Sequence, residues 1–241
     1  METKQIIIDT FANNNLQITN TQAEKLTAYY ALLIEYNQKY NLTNITEAHE
    51  VASKHFADSA LGSTLLKQGA TVLDIGCGAG FPSIPLAILR PDANFVMIDS
   101  VNKKINFINT VIQKLNLSNC RAYHTRAQEF CIKPNRENFD YVVARALAPL
   151  NILLELCIPF IKQNGTMLAY KSQNYNNEII DSQNALTKLF AKVEKINSFN
   201  LIHINNNEKE ILSRCILEIK KQKPTPLVYP RLKNLIKNNP L

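Results

Sequence analysis

Residues 74–82 read Asp-Ile-Gly-Cys-Gly-Ala-Gly-Phe-Pro and directly follow Thr71-Val-Leu-Asp-Ile75, a short β-branched run. Glycines let a backbone turn tightly and approach a ligand closely, and Pro82 suits the first turn of a helix. A strand that stops in such a loop and resumes as a helix is where an open α/β sheet binds its ligand. The segment therefore places one strand–loop–helix unit at the ligand-binding edge of a sheet.

The rest of the chain agrees with that unit. Asn94 to Ile98, Cys120 to His124, Phe139 to Ala144 and Gly165 to Lys171 are further short apolar runs. Helical stretches separate them, the clearest carrying Val101, Ile105, Ile108, Ile112 and Leu115 on one stripe, with Ser100 as its expected N-cap. Strand and helix alternating at this spacing predict a parallel sheet covered on both faces. Two later runs, Lys192 to Leu201 and Glu210 to Lys220, flank the polar turn Asn205-Asn206-Asn207-Glu208 and predict a closing antiparallel hairpin. The first seventy residues read as helical. Thr21 and Glu24 form a candidate capping box, Ala23, Leu26, Tyr30, Leu33, Asn37 and Tyr40 recur at three or four residues, and a second helical segment, about Glu47 to Lys67, carries His55 and Asp58. The expected organisation is an N-terminal helical cap (1–68) packed on the same domain, a sheet domain (69–221) and a basic C-terminal tail (222–241).

The glycine pattern narrows the ligand. A dinucleotide fingerprint needs G-x-G-x-x-G, but position 81 is Phe. What stands here is D-x-G-x-G-x-G, with Asp74 before the first glycine and a second acid, Asp99, ending the next strand. Asp99 can accept hydrogen bonds from both hydroxyls of a ribose. Asp74 places negative charge by the loop, which suits a ligand carrying ammonium and sulfonium charges better than a pyrophosphate. Those features describe S-adenosylmethionine, and the fold class they imply is an α/β, class I (Rossmann-like) methyltransferase.

Other classes are disfavoured. The five cysteines are an odd number with no CxxC spacing, and the four histidines form no HExxH or paired-ligand pattern, so neither a disulfide framework nor a metal is expected. The greasiest stretch, Tyr141 to Ile161, is interrupted by Arg145, Asn151 and Glu155, and the N-terminus has no cleavage-site pattern, so a cytoplasmic protein without a membrane span is expected. The formal net charge is +7, of which six positive charges and no acid fall from Ile219 to the end. A basic segment on a nearly neutral body suits either a polyanion partner or a solvated tail.

On the motifs Tyr40-Asn-Leu-Thr43, His55-Phe-Ala-Asp-Ser59, Asp74 to Pro85, Ile98-Asp-Ser-Val-Asn-Lys103, Phe139 to Leu150, Ala169-Tyr-Lys171, Tyr229-Pro-Arg231 and the terminal Pro240-Leu241, the chain resembles the bacterial 16S rRNA (guanine-N7) methyltransferase G family, also called glucose-inhibited division protein B. The resemblance spans nearly the whole chain. It implies a cofactor site at Gly76, Phe81, Ala127, Gln128 and Arg145, beside Asp74, Gly78 and Asp99 read from the glycine pattern. It also implies that one guanine in the 530 loop of small-subunit rRNA, conventionally position 527, is the methyl acceptor, with 16S rRNA or the small subunit as partner. Arg145, Lys171 and the basic tail are candidates for the rRNA side. The chain departs from the family twice: Gln128 stands where a Glu is usual, with Glu129 displaced by one, and Ser172 follows Lys171 where a Gly is usual.

The acceptor chemistry leaves its own mark. Amino-group methylation of adenine commonly uses an Asn/Asp-Pro-Pro-Tyr stretch after the fourth strand, and pyrimidine carbon methylation uses a Pro-Cys nucleophile. Here the corresponding stretch is Arg145-Ala-Leu-Ala-Pro149. That suits an acceptor with its own free lone pair, such as guanine N7. A methyltransferase of a small molecule or protein, and a non-catalytic RNA-binding module, remain alternatives at this level.

Overall fold

The computed structural model describes residues 2–172, 175–205 and 208–241. Seven strands form one sheet in the order β3-β2-β1-β4-β5-β7-β6. They are β1 (Thr71–Ile75), β2 (Asn94–Asp99), β3 (Cys120–His124), β4 (Phe139–Arg145), β5 (Ile161–Lys171), β6 (Ala191–Asn205) and β7 (Glu208–Lys221). The first five pair in parallel, while β7 runs antiparallel between β5 and β6. The expected mostly parallel sheet with a closing hairpin is therefore present. The hairpin runs longer than expected, pairing out to Asn205 opposite Glu208; Asn206 and Asn207 lie outside the described residues.

Helices α1 (Glu2–Asn13) and α2 (Asn20–Tyr40) precede a broken helical run: α3 (Ala48–Glu50), a π-helical turn (Val51–Ala57) and α4 (Asp58–Ala60). Then come α5 (Ser83–Leu89), α6 (Asn102–Lys114), α7 (Ala127–Phe130), α8 (Leu150–Cys157), α9 (Tyr175–Asp181), α10 (Gln183–Lys188) and α11 (Lys233–Asn238). Each sheet face carries one hydrophobic cluster. On one face Ile7, Phe11, Leu26, Leu33 and Phe56 of the N-terminal helices pack with Phe95, Met97 and Phe107. On the other, α8 and α10 cover Leu73, Val142 and Met167. Each such fully buried aliphatic or aromatic side chain contributes about 1.5–3 kcal/mol, which is why the N-terminal helices stay on the sheet.

The edge strand β6 is clasped by Asn14, in the turn that follows α1. The Asn14 side chain donates to the Ile202 carbonyl at 2.9 Å and accepts the Ile202 N–H at 2.7 Å. Such side-chain pairing satisfies backbone groups that would otherwise leave an open edge.

Several local expectations are corrected. The capping box of α2 is Thr19 with Gln22 rather than Thr21 with Glu24, because Thr19 holds the extended backbone an N-cap needs. Tyr29, not Tyr30, is the fully buried tyrosine of that helix; its hydroxyl donates to the Ala79 carbonyl, which ties α2 to the glycine loop. Ser100 does not cap α6; the Asp99 carboxylate accepts the Val101 N–H instead, at 2.9 Å. β5 begins at Ile161, four residues earlier than read.

The C-terminal segment is also not a solvated tail throughout. Arg231 makes a two-toothed pair with Glu155, which is wholly buried in α8, at 2.8 and 2.6 Å, and Leu241 joins the second cluster. Lys221 is wholly buried against Glu137. Only part of the positive charge near the C-terminus is thus left for a partner.

Candidate functional site

The loop after β1 forms because its glycines occupy backbone space closed to most residues. Gly76, Gly78 and Gly80 have φ of 71°, 59° and 103°. The N–H groups of Gly76 and Cys77 both donate to the Ile98 carbonyl, at 2.8 and 3.2 Å, which bolts the loop to the end of β2. The Gly78 N–H donates to Asp99 Oδ2 at 3.0 Å, while Oδ1 takes Val101. Asp99 is thereby fixed at the strand end with a lone pair on each oxygen still available. A Cβ at Gly76 would sit 2.5 Å from the Leu147 side chain, whereas one at Gly78 would meet no protein atom. Gly78 faces open crevice.

That crevice measures about 450 Å³ and is bounded by Gly76, Gly78, Phe81, Asp99, Ala127, Gln128 and Arg145. Seven of the eight expected cofactor residues converge there from the ends of β1, β2, β3 and β4. The eighth, Asp74, does not reach the wall. It lies fully buried beneath the loop; Ser83 is its neighbour, but neither carboxylate oxygen has a partner in hydrogen-bond geometry among the described residues. Burial pushes its carboxyl up to about 7, against the opposing pull of Ser83 and Arg145.

Arg145 ends β4 and divides this crevice from a second chamber of about 720 Å³. Its Nη1 donates to Asp58 Oδ2 at 2.6 Å and to the Lys54 carbonyl at 3.1 Å, and its guanidinium carbon lies 5.1 Å from the centre of the Phe81 ring. Arg145 Nη2 stands 3.2 Å from His55 Nδ1. The same Nδ1 lies 3.2 Å from the Lys54 carbonyl, and Nε2 stands 2.9 Å from Thr43 Oγ1. The imidazole stacks on Phe81 at 4.3 Å between centres. Burial, and then the charge of Arg145, lower its pKa to about 3. His55 is thus a neutral ring with both nitrogens engaged.

His55, Arg145, Ala146 and Leu147 line both spaces. The second chamber continues over Lys171, Glu178, Arg214 and Asp58. Lys171, a candidate for the rRNA side that could equally be structural, lines this chamber, where Nζ donates to Glu178 Oε2 at 2.6 Å and to the Ala148 carbonyl at 3.2 Å. Ser172 beyond it also lines this space.

Sequence reading did not assign Thr43, Leu147, Glu178, Arg214 or Lys233 to these walls. Leu147 sits inside the quoted Arg145-to-Pro149 stretch and could have been found there. Glu178 and Arg214 carry no local motif; only the topology brings α9 and β7 beside the end of β4. Among the described residues no cluster of histidines, cysteines or acids is arranged to hold a metal, and no helix is long and apolar enough to cross a membrane.

The fold is that of the class I S-adenosylmethionine-dependent methyltransferases. Solved structures that share it include an S-adenosylmethionine-dependent methyltransferase from Aquifex aeolicus, at TM-score 0.55 and 16% identity over 75% of this chain and 97% of that one. Another is precorrin-6y C5,15-methyltransferase from Geobacter metallireducens, at TM-score 0.52 and 13% identity over 76% of this chain and 92% of that one. Sequence likeness is closer elsewhere. A family model described as rRNA small subunit methyltransferase G matches residues 22–206. Proteins named ribosomal RNA small subunit methyltransferase G are 42% identical in Streptococcus pneumoniae, over 95% of this chain and 96% of that protein, and 44% identical in Lachnoclostridium phytofermentans, over 90% and 88%. The chain belongs to the rRNA small subunit methyltransferase G family.

Proposed function

We propose that this protein transfers a methyl group from S-adenosylmethionine to N7 of one guanine of 16S rRNA, position 527 in the conventional numbering, in the cytoplasm. Family membership supports the reaction class. The observation that carries the reading is the junction at His55, Arg145, Ala146 and Leu147, where two chambers meet and a group held in one can face a group held in the other.

The first crevice suits the cofactor. Asp99 offers free lone pairs where ribose hydroxyls would lie, Gly78 leaves room for a ligand, and the partnerless Asp74 carboxylate beneath the loop favours a cationic one. Gly76 and Phe81 would flank it, with Ala127 and Gln128 beside the adenine. The amide oxygen of Gln128 can accept a hydrogen bond as the family's usual carboxylate does, without its charge. When bound, the cofactor supplies an electrophilic methyl group on a sulfonium.

The protein's own part is positioning. Both ring nitrogens of His55 are engaged by protein groups and its burial disfavours the protonated ring, and Arg145 cannot act as a base. An acceptor that must first be deprotonated would find no base at the junction, whereas guanine N7 presents its lone pair directly. Orienting two reactants in this way supplies much of the acceleration in such reactions. Lys54 and Arg214 at the second chamber are suited to RNA phosphates. The N-terminal helices, through the turn carrying Lys54, His55 and Asp58, shape the acceptor side.

Small ribosomal subunits incubated with the protein and methyl-labelled cofactor test this reading. Label is expected in the RNA and not in ribosomal protein. Label confined to protein would overturn it.

A further inference from the structure

We propose that Glu178 is the residue that selects guanine, its carboxylate accepting the N1–H and N2–H donors of the base in the second chamber. The inference rests on the methyl-transfer reading above.

Glu178 lines the second chamber and not the first. Two protein donors fix its carboxylate: Oε2 takes the Leu150 N–H at 2.8 Å and Lys171 Nζ at 2.6 Å. Both donors use the same oxygen, which leaves Oε1 without a partner among the described residues, and the side chain is 26% exposed. The other carboxylate there, Asp58, has no such freedom. Its Oδ2 is taken by Arg145 and its Oδ1 by Arg214 at 2.9 Å, and it is 7% exposed. Among the described residues of the chamber, Glu178 holds the one carboxylate oxygen open to a ligand.

Guanine chemistry requires such a group. N7 and O6 lie on one edge of the base and the N1–H and N2–H donors on the opposite one. If N7 faces the junction, the donor edge turns into the second chamber. A base drawn out of its stack is commonly read on that edge by hydrogen bonds. A carboxylate suits guanine and repels adenine, whose N1 is itself an acceptor. Lys171 then becomes a positioning residue: its hydrogen bond to Oε2 holds the Glu178 side chain in place.

Small subunits reconstituted with inosine at the target position provide the test, because inosine lacks only the N2 amino group. A hydrogen bond to a charged group contributes about 1.5–3 kcal/mol, or roughly a 10–100-fold change in rate. The wild-type protein is expected to methylate guanine that much faster than inosine in single turnover. In Glu178→Gln the guanine rate is expected to fall by roughly that factor and the ratio to collapse toward one, with unchanged cofactor affinity by calorimetry. Equal slowing on both bases, or an unchanged ratio, would overturn the assignment while leaving methyl transfer intact. Absence of guanine–inosine discrimination in the wild-type protein would overturn it without any variant. A wild-type protein that methylates neither base would overturn the underlying reading and the assignment with it.

Discussion

Arg145 Nη1 and Asp58 Oδ2 meet at 2.6 Å across 87 residues of sequence, joining the end of β4 to the helical run that carries His55. The other Asp58 oxygen holds Arg214 of β7 at 2.9 Å, so one buried carboxylate ties three elements around the second chamber. Removing one partner of a buried pair costs about 3–5 kcal/mol, because the remaining charge is left uncompensated. Asp58→Ala is expected to lose roughly that much stability in denaturant unfolding. Arg214→Ala, which leaves the Arg145 pair in place and removes a more exposed partner, is expected to lose far less. Equal losses in the two variants would show that Asp58 is not the anchor.

His55 sets a second expectation. Its folded pKa, about 3, lies below the ordinary 6.5, so the folded state resists a proton that the unfolded chain takes up. Its contribution is present above about pH 6.5 and is lost as pH falls toward about 3. His203, whose pKa burial also lowers, adds to the same acid loss. In His55→Gln the decline in unfolding midpoint between neutral pH and about pH 4 should be shallower than in the wild type. An identical acid limb would mean that His55 is protonated in the folded protein.

Asp74 shifts in the opposite direction from His55. Its carboxyl is raised from 3.8 to about 7 by burial, so near neutrality a fraction of the folded protein holds it protonated. The sign for folding is a contribution greatest below about pH 3.8 and lost as pH rises through about 7. A cationic ligand above the loop draws that proton off. Cofactor affinity is therefore expected to rise several-fold from about pH 6 to about pH 8, and Asp74→Asn should flatten the rise. Calorimetry at the two pH values decides, and a rise that persists unchanged in Asp74→Asn would remove Asp74 from the cofactor's surroundings.

The C-terminal segment separates into anchored and available charges. Glu155 is wholly buried and its partner is Arg231, so Arg231→Ala or truncation before it should destabilise the fold by about 3–5 kcal/mol. Lys237→Ala should leave stability unchanged. If it contacts a phosphate, the slope of log affinity for rRNA against log salt should fall by about 0.7 to 0.9. An unchanged slope would leave Lys237 a solvated charge, and an unaffected melting curve in Arg231→Ala would show that the Glu155 pair is not an anchor.

Much of this arrangement was legible before any coordinates. The glycines at 76, 78 and 80 need left-handed backbone, and β-branched runs stop where the sheet ends, so β1 to β4 and the crevice could be placed from local chemistry alone. What escaped was non-local. Tyr29 and Tyr30 are equally apolar neighbours, and only the docking of α2 on the glycine loop selects Tyr29. Arg231 read as one charge of a tail meant either for a polyanion or for solvent, because its partner Glu155 lies 76 residues earlier in the chain. The second chamber was invisible for the same reason: its wall is assembled from the N-terminal helices, the end of β4, α9 and β7.

Mapping the product shows which atom of which nucleotide receives the methyl group. Small subunits lacking the modification, treated with the protein and S-adenosylmethionine, would be digested to nucleosides and to fragments and read by mass spectrometry. One 7-methylguanosine per subunit is expected, within the fragment holding guanine 527, formed at saturating cofactor with a single-turnover rate nearly flat from mildly acidic to mildly alkaline pH. A methyl group on an exocyclic amine or a pyrimidine carbon, or a rate that falls steeply on acidification and loses that dependence in one side-chain variant, would contradict it.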